Sequence, residues 1–130
     1  MYLLILFFLL INFYTLEGRY QYITVTGRFL CKGEPLKYID VELKDDDLLD
    51  WELITTGITD YKGVFTISGK HEEFLPLRPY VEVLVACCKY EDEDFCEFNF
   101  FKKFVPFYKV TYFGSKTFYD FGDIEVAQPQ

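Results

Sequence analysis

The chain predicts an all-β sandwich, and three observations carry that expectation. Seven segments alternate apolar and polar residues with period two and are rich in β-branched and aromatic types. Short clusters of Gly, Pro and Asp separate them. Beyond the first apolar run, no long segment has helical periodicity.

The first expected strand, Tyr22 to Cys31, sets Ile23, Val25, Gly27, Phe29 and Cys31 on one face and Thr24, Thr26, Arg28 and Leu30 on the other. Lys32-Gly33-Glu34-Pro35 then turns the chain. In Tyr38 to Lys44, the clearest strand with one buried face, Ile39, Val41 and Leu43 alternate with polar neighbours. The acids Asp45, Asp46, Asp47 and Asp50 read as an exposed loop before a third strand, Trp51 to Thr59. Asp60-Tyr61-Lys62-Gly63 has the residue types of a tight turn, so Trp51 to Thr59 and Val64 to Ser68 are expected to form a hairpin. Residues His71 to Pro79 read as an irregular connection. Tyr80 to Cys87 follows, with Val81, Val83, Val85 and Cys87 inward. The acidic loop Lys89 to Asp94 leads into Cys96 to Val105, ended by Pro106, and Phe118 to Val126 is the last strand.

From Tyr2 to Phe13 the sequence is YLLILFFLLINF, apolar except for Asn12. That length suits the apolar core of a secretory signal, whereas a bilayer span needs about 20 apolar residues. Residues 1–18 are therefore expected to be a cleaved signal peptide and residues 19–130 a single secreted, extracellular domain. An uncleaved anchor and a buried first strand are the alternatives. No Lys or Arg lies near Met1, and the cleavage region is not of the Ala-x-Ala kind. The formal net charge of -8 loses only Glu17 with that segment. Nucleic acid and bare electrostatic attraction to anionic lipid are both disfavoured for so acidic a chain. Neither Asn12 nor Asn99 begins a glycosylation sequon.

Four cysteines, Cys31, Cys87, Cys88 and Cys96, argue for two disulfides in a small exported domain. Parity puts Cys31 and Cys87 on the core faces of their strands and turns Cys88 the other way, eight residues before Cys96. Cys31–Cys87 with Cys88–Cys96 is the favoured pairing, and Cys87–Cys96 is its main competitor. A zinc site is disfavoured by the single His and by the Cys87-Cys88 doublet.

The ordered set of these residues resembles the nematode transthyretin-like family of secreted proteins. The matching pieces are Val25-x-Gly27-x-x-Leu30-Cys31-x-Gly33-x-Pro35 and Val41-x-Leu43 leading into Asp45-Asp46-Asp47. Next come Thr59-Asp60-x-x-Gly63-x-Phe65-x-x-Ser68-Gly69 and Pro79 eight residues before Cys87. Val105-Pro106-x-Tyr108 and Tyr119-Asp120-x-Gly122 complete the set. The resemblance implies a seven-stranded transthyretin-like (prealbumin-like) sandwich. Where the family carries His-Asp-Cys, this chain has Val85-Ala86-Cys87. Where the family carries Cys-Gln-Arg-Lys, it has Cys96-Glu97-Phe98-Asn99. If those polar residues form the family's binding surface, apolar and aromatic side chains replace it here. Wider fold relatives include a hydroxyisourate hydrolase that works with several histidines and a C-terminal Tyr-Arg-Gly-Ser. With only His71, and an end reading Val126-Ala127-Gln128-Pro129-Gln130, this chain is not expected to be that enzyme.

No catalytic residues, cofactor or metal are expected. His71 has no convincing nucleophile or orienting partner near it in sequence. The acidic runs Asp45 to Asp47 with Asp50 and Glu52, and Glu91 to Asp94, lack the spaced ligand pattern of calcium loops. The unusual feature is the load of 15 Phe and 11 Tyr, concentrated after residue 95. Family parity turns Phe101 and Val105 inward and Phe98, Phe100 and Phe104 outward beside Lys102. A bulge that swaps the faces is the rival reading, and an inward Lys103 favours it. If outward, these three Phe are the candidate binding residues, with Tyr108 and Tyr112 as lesser ones. The expected function is a non-enzymatic extracellular binding or adaptor protein, acting as a monomer or a strand-edge homodimer. The alternative is a carrier of a small hydrophobic or lipid ligand on the aromatic face.

Overall fold

The computed structural model describes residues 1–16, 19–46, 50–73, 78–88, 96–106, 111–113 and 116–127, with residues 10–16, 19–21, 71–73 and 111–113 described as backbone only. The elements run α1 (Tyr2–Leu16), β1 (Arg19–Cys31), β2 (Glu34–Pro35), β3 (Asp40–Asp46), β4 (Trp51–Ile58), β5 (Val64–Glu73), β6 (Pro79–Val85), β7 (Asn99–Phe104), β8 (Thr111–Phe113) and β9 (Lys116–Glu125). The apolar run folds as α1. Its described side chains are exposed, and no helix among the described residues is long and apolar enough to cross a membrane.

All seven expected strands are present, together with the two-residue β2 and the short β8. In the first sheet, β1 has β9 parallel on one side, with β8 beyond it, and β5 and β2 antiparallel on the other. The second sheet is antiparallel, in the order β4-β3-β6-β7. The inward parity of both sheets supplies one core: Ile23, Val25 and Phe29 of β1, Val41 and Leu43 of β3, Phe65 and Ile67 of β5, Val81 and Val83 of β6, and Phe101 of β7. Phe29 stacks on Phe65 with ring centroids 5.0 Å apart and meets Phe101 edge-on at 6.3 Å. Burying each such side chain stabilises the fold by roughly 1.5–3 kcal/mol.

Three expectations need correction. First, β4 and β5 do not form a hairpin. The Asp60 turn exists, but β4 pairs β3 in one sheet and β5 pairs β1 in the other, so the turn is a corner between sheets. Two glycines allow the strands to cross closely. A Cβ on Gly57 would lie 2.1 Å from Ile67 Cγ2, and one on Gly69 would lie 2.5 Å from Ile54 Cγ2. Second, His71 is in β5 rather than a loop, opposite Gln21, because β1 begins at Arg19 and offers ladder partners as far as Glu73. Third, Asp45 and Asp46 belong to β3, and Asp45 is buried, accepting the Arg78 backbone N–H at 2.8 Å.

The corner has a polar centre. Thr59 is fully buried. Its hydroxyl donates to the Leu36 carbonyl at 2.6 Å and accepts from the Ile39 N–H at 3.0 Å. Asp60 Oδ1 accepts from the Lys62 and Val64 amides at 2.8 and 2.9 Å. Gly63 has φ +78°, and its carbonyl accepts from the Phe29 N–H at 2.9 Å; a Cβ there would lie 2.6 Å from the Phe29 carbonyl oxygen.

Both favoured disulfides form, Cys31–Cys87 and Cys88–Cys96. The first ties the end of β1 to the segment leaving β6, and so joins the two sheets. At the same end, Glu125 accepts from the Lys32 and Gly33 amides at 2.9 and 2.7 Å, fastening β9 to the turn after β1.

Thr59→Val preserves shape but leaves the part-buried Ile39 N–H and Leu36 carbonyl without the hydroxyl. It is expected to cost about 1–3 kcal/mol. Gly57→Ala, which overpacks the crossing, is expected to cost about 1–3 kcal/mol. Urea unfolding followed by circular dichroism measures both.

Candidate binding face on the outer surface of the second sheet

The residues of the second sheet that point away from the core come from the opposite parity of the same strands. Cross-strand register aligns Glu42 with Glu82 and Lys102, and Lys44 with Tyr80 and Phe104. Leu84 pairs with Phe100. A register shift after Leu43 places Leu53 beside Lys44 and Trp51 beside Asp46.

The centre of this face is buried by its own side chains. Tyr80 is 2% exposed, Glu82 7% and Lys44 8%. Lys44 Nζ lies 2.7 Å from Glu82 Oε1, 3.0 Å from Glu42 Oε2 and 4.1 Å from the centre of the Trp51 ring. Lys102 Nζ stands 5.0 Å over Tyr80, whose ring packs against Phe104 at 5.0 Å. Arg78 lies 5.6 Å from the Phe104 ring and 3.8 Å from Asp46. Each cation thus covers an aromatic ring while its charge meets a carboxylate or water. Burial pulls the Lys44 pKa down, and the hydrogen bonds that Lys44 donates to Glu82 and Glu42, with their charges, outweigh it, so the ammonium is held above its ordinary value. Burial pushes the Tyr80 phenol up.

Large apolar side chains stay exposed around that centre. Trp51, Leu53 and Ile58 lie on the β4 side; Leu84, Phe98, Phe100 and Phe104 lie on the β7 side. Phe98 and Phe100 are 68% and 67% exposed. Phe101 and Val105 are buried, and the β6–β7 ladder runs without a shift from Val85–Asn99 to Tyr80–Phe104. The face-swapping bulge is therefore absent. Lys103 shares the inward parity of Phe101 yet is exposed, because β7 is the last strand of its sheet and a long side chain can leave around its rim.

Of the lesser candidates, Tyr108 lies outside the described residues, and Tyr112 is described only as backbone, opposite Thr117 in β8–β9. The His71 side chain, Asp47 and the run Glu91 to Asp94 also lie outside the description. Among the described residues, no group of three or more His, Cys, Asp or Glu side chains could hold a metal ion. The Lys44–Glu82–Trp51–Tyr80 cluster was not foreseen. Its only sequence signal is the polar parity of Glu42, Lys44, Glu82 and Lys102, which does not say which strands are neighbours.

Lys44→Met alone leaves Glu82 buried without its cation and is expected to cost about 3 kcal/mol or more, whereas Lys44→Met with Glu82→Leu recovers most of that loss. A pKa raised on folding gives stability that is complete below the ordinary lysine value of 10.5 and is lost as pH rises through the folded value. The urea midpoint of the native protein should therefore fall more steeply above that pH than the midpoint of the double variant.

Comparison with known proteins follows the same strands. The model of the transthyretin-like family (TTR-52) matches residues 26–101, more than half of the chain. Transthyretin-like protein 5 of Caenorhabditis elegans is 36% identical over 87 residues, covering 65% of this chain and 63% of its own length. Transthyretin-like protein 16 of the same nematode is 33% identical over 71 residues, 54% of each chain. The chain thus spans less than two thirds of the length of these relatives. A solved 9R-lipoxygenase from Cyanothece aligns with 82% of this chain and 17% of its own, at a TM-score of 0.49 and 20% identity, a likeness too slight to inform fold or function. Matched from β1 through the inter-sheet corner to β7, the chain belongs to the transthyretin-like family.

Proposed function

We propose that this protein is a secreted, non-enzymatic binding or adaptor module whose contact face is the β7 end of the outer sheet surface. The observation that carries the reading is the exposure of Phe98 and Phe100 at about two thirds each, beside Leu84 and Phe104, on a surface whose centre is already packed. Soluble monomers rarely leave large contiguous apolar patches uncovered, and such patches mark interaction sites. Two disulfides in a domain of this size suit an oxidising compartment, and the N-terminal apolar run suits export.

The test begins with the protein expressed in eukaryotic cells and recovered from the medium. Mass spectrometry is expected to show a chain beginning near residue 19 with both disulfides intact. A chain that stays in the cell fraction with residues 1–18 attached would sink the secreted part of the reading. Phe98→Asp with Phe100→Asp should leave the urea midpoint nearly unchanged, since both rings are exposed, and should weaken binding to an extracellular partner of the native protein at least about tenfold, the loss of a 1.4 kcal/mol contact. Unchanged binding would place the contact face elsewhere. An apolar adduct that survives native mass spectrometry in the native protein and is lost in the double variant would favour a small-ligand carrier instead.

A further inference from the structure

Resting on the reading just given, we infer that the open edge of β7 takes an extended acidic strand from a partner protein, with the pattern apolar-acidic-acidic-apolar-apolar. Strand β7 is the last of its sheet and, among the described residues, pairs only with β6. The opposite edge, β4, crosses close over β5 at Gly57 and Gly69 and carries the acid Glu52 where β7 carries lysines. A free edge presents unpaired N–H and C=O groups to any chain that can align with it, and side-chain chemistry decides which chain that is.

On β7 that chemistry is specific. Phe100, Lys102 and Phe104 point to the outer face, and Phe101 and Lys103 have the opposite parity. The only charges on the strand are therefore two adjacent lysines, in a chain whose net charge is -8. A second copy pairing antiparallel in the register centred on Lys102, which keeps the two outer faces together, would set Lys102 directly against its own counterpart, and like charges directly opposite are destabilising. An acidic partner reverses the sign on both faces at once. Antiparallel to Phe104, Lys103, Lys102, Phe101 and Phe100, in that order, the complementary residues are apolar, acidic, acidic, apolar and apolar. The outer apolar pair extends the exposed aromatic surface, and the inner apolar residue lies beside Phe101. Lysines that disfavour the self-pairing centred on Lys102 thus also select a partner by charge.

The probes are two capped peptides with Thr flanks, one containing Val-Glu-Glu-Ile-Val and the other Val-Lys-Lys-Ile-Val. Affinity is read by titration calorimetry, and the site by hydrogen-exchange protection of β7. The native protein is expected to bind the Glu peptide about tenfold more tightly than the Lys peptide, with two cross-strand pairs changing sign. Lys102→Glu with Lys103→Glu should invert that preference. Lys102 also covers Tyr80, so the exposed Lys103→Glu alone is the second variant and should lessen the preference without unfolding. Equal affinities, no binding of either peptide, protection outside β7, or a sedimenting β7-linked homodimer would each overturn the inference.

The two proposals fail differently. A partner lost with Phe98→Asp/Phe100→Asp but indifferent to the lysine reversals would leave the aromatic face standing and remove the acidic strand. Charge-selected peptide binding unaffected by the Phe changes would keep the edge and remove the aromatic face.

Discussion

The constraint on which the rest of this fold depends is the corner at Thr59, where the chain leaves one sheet and enters the other. A sandwich needs such a crossing, and the crossing carries backbone groups out of both ladders into the core, where an unpaired donor or acceptor costs about 1–3 kcal/mol. The Thr59 hydroxyl satisfies one of each, Asp60 accepts two amides of the turn, and Gly63 takes the positive φ that brings its carbonyl against the Phe29 amide. Phe65, two residues on, then stacks on Phe29. The Thr-Asp-x-x-Gly-x-Phe run is thus one device with a separate job for each residue: hydroxyl hub, turn acceptor, left-handed backbone, core ring.

That device also shows what was legible in the sequence and what was not. The turn at Asp60 to Gly63 could be read from residue type, because an Asp that caps its own turn and a Gly with positive φ are local chemistry. Whether the flanking strands pair with each other or with different sheets is not local. It turns on Gly57 meeting Ile67 and Gly69 meeting Ile54, contacts between residues about ten or more apart that only the assembled sheets create. The strand faces were readable from parity, and parity also gave the correct cysteine pairs, since Cys87 and Cys88 must point opposite ways. The aromatic strand was only half readable. Phe98, Phe100 and Phe104 share one parity, but the inward parity of Lys103 argued against that parity being outward, until the position of β7 at the rim gave that side chain an exit. Asp45 misled for the opposite reason. A run of acids normally marks a solvated loop, yet here the Arg78 amide sits where it can occupy the first of them.

The outer face of the second sheet shows how a two-layer protein covers a central strand without a third layer. Pro79 to Val83 of β6 are buried without a break, on both faces. On the outer side the cover is side chains alone: Lys44, Lys102 and Arg78 lie over Trp51, Tyr80 and Phe104. Long cationic stems supply apolar contact and keep their charged ends paired or wet, so the face is packed without being greasy. The cover stops at the β7 side, where Phe98 and Phe100 are exposed and, among the described residues, no cation lies over them. An uncovered pair next to a covered centre is a boundary, and on the reading proposed here that boundary is where the partner begins.

Both disulfides converge on that boundary. Cys87 is held to the end of β1, Cys88 is held to Cys96, and Phe98 follows two residues after Cys96. The segment that presents the exposed aromatic pair is therefore fixed at its root to both sheets before any partner arrives. Ordering an interface side chain on binding costs roughly 0.5–1.5 kcal/mol, and more where backbone must also be fixed. A cross-linked root removes the backbone part of that cost. On the reading proposed above, the disulfides do more than hold the sandwich closed: they fix the root of the aromatic strand, so that loss of the Cys88–Cys96 bridge is expected to weaken partner binding through lost order even where every contacting side chain is still present.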